Sequence, residues 1–175
     1  MQVQPYLDFN GRCQEAIDFY RRAIGAEVTM LMHFKDCPEP QQSSMISPEN
    51  KDKVMHAALK IGDSTVFASD GRCTGTTNFH GIALALNAKD EADAKRLFGA
   101  LAEGGQVNMP LTKTFFSPAF GMLADKFGVS WQVIPTALGR LLQDDDATKS
   151  QAVMRAMMQM EKIDIAGLER AYEHA

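Results

Sequence analysis

An amphipathic helix is predicted near the start of the chain. Between residues 12 and 24, apolar residues recur at the spacing i, i+3, i+4, i+7, which places them on one buried face. Gly25 follows at the position where a left-handed residue closes a helix. Residues 1–9 have the composition of a short strand, and Asn10 is placed to cap the helix. The chain is therefore predicted to begin with a strand and a helix.

Three more strands are predicted after this helix. Their ranges are 28–34, 54–61 and 64–69. The last two are joined by Gly62-Asp63, which is a hairpin turn signal. Residues 35–53 contain three prolines and few large apolar side chains, which indicates a long loop. The first part of the chain is thus predicted to be a strand, a helix and three strands.

The same order of elements begins again near residue 79. A strand, a helix capped by Asp90, a further strand and a hairpin are predicted. The strand ranges are 79–86, 107–111, 120–124 and 129–134. Residues also match at constant offsets, 78 for the helices and 66 for the hairpins. The matched pairs are Ala16 with Ala94, Tyr20 with Phe98, Gly62 with Gly128, Ser64 with Ser130, and Phe67 with Val133.

Two unrelated domains could show the same order of elements, but the matched residues favour a duplication. The first module covers about residues 1–75 and the second about 76–135. Residues 136–175 are predicted to form a helical tail, in which Asp164 caps the last helix. Four methionines give the tail an apolar stripe. We interpret the stripe as packing against the domain or a second subunit, the alternative being an adaptable surface for a partner peptide.

Composition excludes several classes of function. The chain has 175 residues, 45% of them hydrophobic and 23% charged, as in an ordinary globular protein. A net charge of −4 argues against nucleic acid as the main partner. No signal peptide and no apolar run of the roughly 18 residues that a membrane helix needs is found, so no membrane association is expected. Three cysteines without a CxxC pair favour the reducing cytoplasm.

Five local sequences resemble one known family. They are PYLDFNGRCQEAIDFY, MHAALKIGDSTVFASD, LAEGGQVNMPL, TFFSPAFGMLADKFGVSWQV and MEKIDIAGLERA. They are similar to the PhnB-like branch (demethylubiquinone methyltransferase-like) of the vicinal oxygen chelate, or glyoxalase–bleomycin resistance–dioxygenase, superfamily. The resemblance implies an α+β fold in which tandem βαβββ modules form a curled mixed sheet around a cleft. It also implies a glyoxalase-like domain over residues 1–135, followed by the helical extension.

The resemblance further implies a site for one divalent metal, either nickel, zinc, manganese or iron, held by side chains on strands related by the duplication. Carried onto this sequence, the ligand positions fall on His56 and Gln132, with His80 next to a third. The first-strand position falls at Pro5, which cannot ligate, beside Gln4. Each candidate ligand has a plainer interpretation as a pocket or surface side chain. The metal set is therefore an expectation in which only two positions match directly.

Other residues would serve the cleft without a metal. His56 could act as a general base, since imidazole exchanges a proton near neutral pH. Five aromatic residues are candidates to bind the substrate, with plain core packing as the alternative for each. They are Phe9, Phe67, Phe116, Phe120 and Trp131. Three residues at hairpin ends, Asp70, Asp125 and Lys126, are expected to be solvated.

Two functions from different classes follow. The first is a metal-dependent lyase, isomerase or dioxygenase-like enzyme that acts on a small oxygen-rich substrate. The alternative is a metal-free protein that binds and sequesters a small molecule. A third hypothesis, a dimeric scaffold, depends only on the tail. The superfamily resemblance implies a homodimer in each case.

Overall fold

The computed structural model describes residues 1–38, 47–73, 75–114, 117–136, 141–142, 144, 146–160 and 164–175. These residues form two compact units. The first unit consists of Met1–Ile82 with Asp125–Val129, and the second of Ala83–Ala124 with Ser130–Ala175. Each unit contains one four-stranded sheet and at least one helix.

The first unit contains the predicted strand, helix and three strands. Its elements are β1 (Tyr6–Asp8), α1 (Cys13–Ile24), β2 (Glu27–His33), β3 (Val54–Ile61) and β4 (Ser64–Ser69). The strands lie in the order β1-β4-β3-β2, with β1 parallel to β4 and the other neighbours antiparallel. Single 3₁₀ turns at Phe34–Asp36 and Pro48–Asn50 lie in the connection from β2 to β3.

Helix α1 presents the predicted apolar stripe to the core. Cys13, Ala16, Ile17 and Tyr20 are almost completely buried. Gly25 closes the helix with φ = 70°, a conformation that glycine adopts without steric cost. The prediction that Asn10 caps the other end is wrong. The N–H groups of Gly11 and Cys13 donate instead to the carboxylate of Asp70, at 2.7 Å each, and Asp70 lies far along the chain.

The second unit repeats this arrangement. Its elements are β5 (Leu84–Ala88), α2 (Glu91–Leu101), β6 (Gln106–Thr112), β7 (Phe120–Ala124) and β8 (Ser130–Pro135). The strand order β5-β8-β7-β6 and the strand directions match those of the first sheet. Asp90 caps α2 as predicted, by accepting a hydrogen bond from the Asp93 N–H at 2.8 Å. The predicted α+β fold built from two βαβββ modules is confirmed.

Two details of the repeat differ from the prediction. Strand β5 begins at Leu84 and not at residue 79, because Asn78, His80 and Gly81 form a turn in which Gly81 has φ = 84°. The two hairpin connections differ in length, since Gly62-Asp63 joins β3 to β4 whereas the longer segment Asp125–Val129 joins β7 to β8. Strands β4 and β8 nevertheless begin 66 residues apart, at Ser64 and Ser130, as predicted.

The tail helices α3 (Ala147–Met158) and α4 (Ile165–Glu173) pack against each other. Leu141, Val153 and Leu168 form their small buried cluster. Asp146 caps α3, whereas Asp164 forms no side-chain hydrogen bond at the start of α4. No helix in the described part of the chain is long and apolar enough to cross a membrane.

Candidate functional site

The two faces of the first sheet differ in what they bury. Alternate side chains on one face are buried in the core, and α1 contacts β3. These buried residues are Leu7, Ala57, Leu59, Val66 and Ala68. The residues that alternate with these buried ones lie on the other face. There Tyr6 pairs with Phe67, Phe67 with Ala58, and Met32 with His56. We call this the open face, formed by Tyr6, Asp8, Met30, Met32, His56, Ala58 and Phe67.

Three aromatic rings meet on the open face. The Tyr6 hydroxyl lies 3.1 Å from Nδ1 of His56, within hydrogen-bonding distance. The His56 ring centroid lies 5.3 Å from that of Phe67 and 5.7 Å from that of Tyr6. Tyr6 is 54% exposed, whereas His56 and Phe67 are half-buried. A histidine is thus held between a phenol and a phenyl ring on a face that is open to solvent.

This arrangement engages one nitrogen of the His56 ring. When the phenol donates, Nδ1 accepts and Nε2 carries the proton of the neutral ring. Among the described residues, no hydrogen bond joins Nε2 to the protein. Nε2 can therefore exchange a hydrogen bond or a proton with a bound molecule.

Of the predicted aromatic residues, the structure brings Phe67 to His56 and places two others in cores. Phe9 is 3% exposed and lies 5.7 Å, between ring centroids, from Phe79 and from Phe127. Trp131 is 3% exposed and pairs with Leu84 and Leu123 in the second sheet. Phe120 and Gln132 lie on the same, half-buried face of that sheet. Phe116 lies outside the described residues.

The candidate metal ligands lie in different parts of the chain. His56 lies on the open face of the first sheet, and Gln132 lies on β8 of the second. His80 is exposed in the turn before β5, where its N–H donates to Asn78 Oδ1 at 3.0 Å. No group of three or more His, Cys, Asp or Glu side chains in the described ranges is placed to hold a metal ion. Gln132 is not one of these residue types, so the set of His56, Gln132 and His80 stays a prediction.

Two buried carboxylates contradict the prediction of solvated turn residues. Asp70 is 1% exposed and accepts backbone N–H groups from Gly11, Cys13 and Val54. Asp125 is 3% exposed and accepts the Tyr20 hydroxyl at 2.7 Å and two backbone N–H groups. Both residues directly follow a strand. This position was the one signal in the sequence that their carboxylates accept hydrogen bonds from the backbone of a turn. They organise the first unit and do not reach the open face.

Lys126 was also predicted to be solvated, and this prediction is wrong. Its ammonium lies 3.1 Å from Glu15 Oε1 and 5.0 Å from the centroid of the Phe19 ring. The Arg12 guanidinium lies 4.6 Å from the centroid of the neighbouring Phe127 ring. Together with Arg12, Lys126 lowers the pKa of the Glu15 carboxyl through hydrogen bonds to its oxygens. Cation–π contacts of this kind hold the Asp125–Val129 segment against α1.

Comparison with known proteins identifies the family. Residues 1–134 match the model of the family described as 3-demethylubiquinone-9 3-methyltransferase. The chain belongs to this family. This family is the predicted PhnB-like branch of the glyoxalase–bleomycin resistance–dioxygenase superfamily. The predicted relationship is therefore confirmed.

Three relatives of the family show how far the likeness extends. The chain is 34% identical over 140 residues to protein YjdN of Escherichia coli strain K12, covering 76% of this chain and 94% of YjdN. The crystal structure of protein PA1353 from Pseudomonas aeruginosa is 42% identical with a TM-score of 0.68, covering 77% of this chain and 97% of that one. The PhnB protein from Bacillus cereus is 26% identical with a TM-score of 0.64, covering 77% and 99%.

Proposed function

We propose that this protein acts on a small oxygen-bearing molecule bound at the open face of its first sheet, with His56 as the proton-transferring group. The observation that carries the proposal is the 3.1 Å contact between the Tyr6 hydroxyl and His56 Nδ1. It holds the imidazole in one orientation and leaves Nε2 for a ligand oxygen. Superfamily members bind small molecules, which supports a ligand of this class.

The surroundings of His56 support the same proposal. Phe67 provides a half-buried aromatic surface 5.3 Å from the imidazole, and Met32 lies opposite His56 on the neighbouring strand. A few polar groups beside apolar side chains are typical of small-molecule sites. A ligand oxygen would hydrogen-bond to Nε2 while its carbon skeleton packs on Phe67. In this proposal His56 is the catalytic residue and Phe67 binds the substrate.

An NMR titration with small diols, hydroxy acids and phenols tests the proposal. Binding should shift the resonances of Tyr6, Met32, His56 and Phe67. His56→Gln should weaken binding about tenfold, because one hydrogen bond to the ligand is lost. His174→Gln, at an exposed histidine near the chain end, is the matched control and should have no effect. Shifts confined to other residues, or unchanged affinity in His56→Gln, would contradict the proposal.

The metal set remains a second candidate. It would use His56 with Gln132 and His80 and would bind one nickel, zinc, manganese or iron ion as an electron-pair acceptor for substrate oxygens. The position of His56 on the open face supports its role, and Phe120 could line the face that carries Gln132. No step of the present proposal depends on a metal.

Metal analysis of untagged protein tests this candidate. Stoichiometric metal that is lost on His56→Ala, and retained in His174→Ala, would support it. Protein that stays free of metal after exposure to nickel, zinc and manganese would contradict it.

We further propose that the chain is a homodimer. Strand β2 is an edge of the first sheet, and its side chains Val28, Met30 and Leu31 are 36%, 47% and 40% exposed. An apolar edge strand offers unpaired backbone groups for association with another chain. Light scattering at micromolar concentration should give twice the chain mass of 19.3 kDa, whereas a monomer mass would contradict the dimer.

Three remaining expectations belong to the same proposal. The glyoxalase-like domain is residues 1–135, the tail is residues 136–175, and the compartment is the cytoplasm. The family match over residues 1–134 supports the boundary. Three cysteines without a CxxC pair support a reducing compartment.

A further inference from the structure

A carboxylate lies on the same face as the proposed catalytic histidine. Tyr6 and Asp8 are alternate residues of β1, so their side chains leave the strand on one side, whereas Leu7 between them is 2% exposed in the core. Tyr6 pairs with Phe67, and Asp8 pairs with Ser69 in the next row. Two residues of a strand span roughly 6.6 Å. Asp8 thus lies one row from the ring cluster.

The Asp8 carboxylate forms no ion pair with a described residue. The Asp8 side chain is exposed, and its Oδ1 accepts the Asn10 N–H at 3.0 Å. Lys53, a basic residue of the same unit, donates its ammonium to the Gly11 carbonyl at 2.7 Å. The carboxylate is therefore available to a cationic group from outside the protein.

The backbone at Gly71 leaves room for this carboxylate. Gly71 has φ = 53°, and a Cβ at this position would overlap the Asp8 carboxylate. The Gly71 N–H donates to Ser69 Oγ at 3.1 Å, which ties the glycine to the residue that pairs with Asp8. Glycine adopts this left-handed φ without steric cost and adds no Cβ beside the carboxylate. The chain thus passes close to an exposed carboxylate that has no ion-pair partner among the described residues.

We propose that Asp8 binds the ammonium group, or another cationic hydrogen-bond donor, of the molecule whose oxygen is bound at His56. This inference rests on the proposed function and names its substrate class. The ligand is a small amine that also carries a hydroxyl or carbonyl oxygen, with a flat or apolar portion between the two groups. Asp8 is a specificity-determining residue in this assignment. The ammonium forms a charge-assisted hydrogen bond with the carboxylate, and the apolar portion packs on Phe67.

A matched pair of probes isolates the role of the ammonium. Tyramine and 4-propylphenol share the phenol and the chain length, and they differ in an ammonium or a methyl group at the end of the chain. NMR titrations give the dissociation constants for wild-type protein, Asp8→Asn, Asp63→Asn and His56→Gln. Asp63→Asn is the matched control, since it removes the same charge from the exposed turn between β3 and β4.

The expected result is a preference for tyramine of about three- to tenfold in wild type, in the range of an exposed or half-exposed ion pair. Asp8→Asn should abolish the preference and leave 4-propylphenol binding unchanged, and Asp63→Asn should retain it. The preference should also decrease as salt is added.

Any of four results would overturn the inference. They are equal affinity for the two probes, a preference that survives Asp8→Asn, an equal loss of preference in Asp63→Asn, and no tyramine binding at millimolar concentration. His56→Gln separates this test from that of the proposed function, because it should weaken both probes to the same degree. Probe binding that depends on His56 but shows no tyramine preference would overturn the role of Asp8 alone. Binding of both probes that is insensitive to His56→Gln would overturn the proposed function.

Discussion

At the scale of single residues, Asp70 has the widest structural role in the first unit. One carboxylate accepts N–H groups from Gly11, Cys13 and Val54 at distances of 2.7 to 2.9 Å. It thereby joins the start of α1 to the start of β3. Because the donors lie 59, 57 and 16 residues away in sequence, no local pattern indicates these hydrogen bonds.

Replacing this carboxylate should destabilise the fold strongly. Asp70→Asn keeps one acceptor oxygen but turns an amide N–H toward backbone donors. We expect it to lower the free energy of unfolding by about 2–4 kcal/mol, the cost of leaving buried donors unpaired. Urea denaturation measures the change, with the exposed Asp63→Asn as control. Equal midpoints for the two variants would show that Asp70 does not hold these elements together.

The buried hydroxyl of Tyr20 should make the free energy of unfolding depend on pH. Burial and the charge of Asp125 raise the pKa of the Tyr20 phenol far above its ordinary value of 10.0. The unfolded chain therefore loses this proton first, and the contribution of Tyr20 is complete below pH 10 and lost as pH rises above it. Unfolding free energy should fall with a slope of up to about 1.4 kcal/mol per pH unit from this group. Tyr20→Phe should lose that part of the slope in urea titrations between pH 9 and 11, and parallel curves for the two proteins would contradict the assignment.

At the scale of elements, periodicity predicted the helices better than the connections. The stripe of α1 and the capping residue of α2 are local signals, and both were confirmed. The length of the second hairpin turn was not predicted, because turn length depends on where the connecting segment packs. Asp125–Val129 belongs to the first unit, where Phe127 lies within 6.2 Å, between ring centroids, of Phe9, Phe19 and Tyr20.

Phe127 should therefore be important for the stability of the first unit. The residue is 9% exposed, and Phe127→Ala would leave a cavity among three aromatic rings. We expect a loss of about 3–5 kcal/mol in the free energy of unfolding. Phe67→Ala is the control, since Phe67 is half-buried on the open face and should cost clearly less. Thermal or urea unfolding compares the two, and a smaller loss for Phe127→Ala would contradict this packing.

At the scale of the whole molecule, the duplication preserves the sheet but not the site. Gln132 pairs with Ala85 and Met122, as Phe67 pairs with Tyr6 and Ala58. By this correspondence, Ala85, Phe120 and Gln132 in the second sheet take the positions of Tyr6, His56 and Phe67 in the first. The tyrosine–histidine pair is therefore specific to the first module.

The sequence predicted the fold, the family and two members of the ring cluster, His56 and Phe67. Tyr6 and Asp8 were not predicted to be functional, because an exposed tyrosine and an aspartate on a short strand are ordinary surface residues. Their roles depend on contacts with residues 50 or more positions away, or with the backbone at Gly71. Such contacts follow from strand order and register, which hydrophobic periodicity does not specify.

The proposed function requires that Tyr6 holds His56 so that Nε2 faces a ligand. A long-range proton–nitrogen NMR spectrum of the imidazole is a direct test, since it distinguishes protonated from unprotonated ring nitrogens. In the neutral ring of the wild-type protein, we predict an unprotonated Nδ1 and a protonated Nε2, and a mixture of both tautomers in Tyr6→Phe. Identical tautomer populations in the two proteins, or a protonated Nδ1 in wild type, would contradict the account.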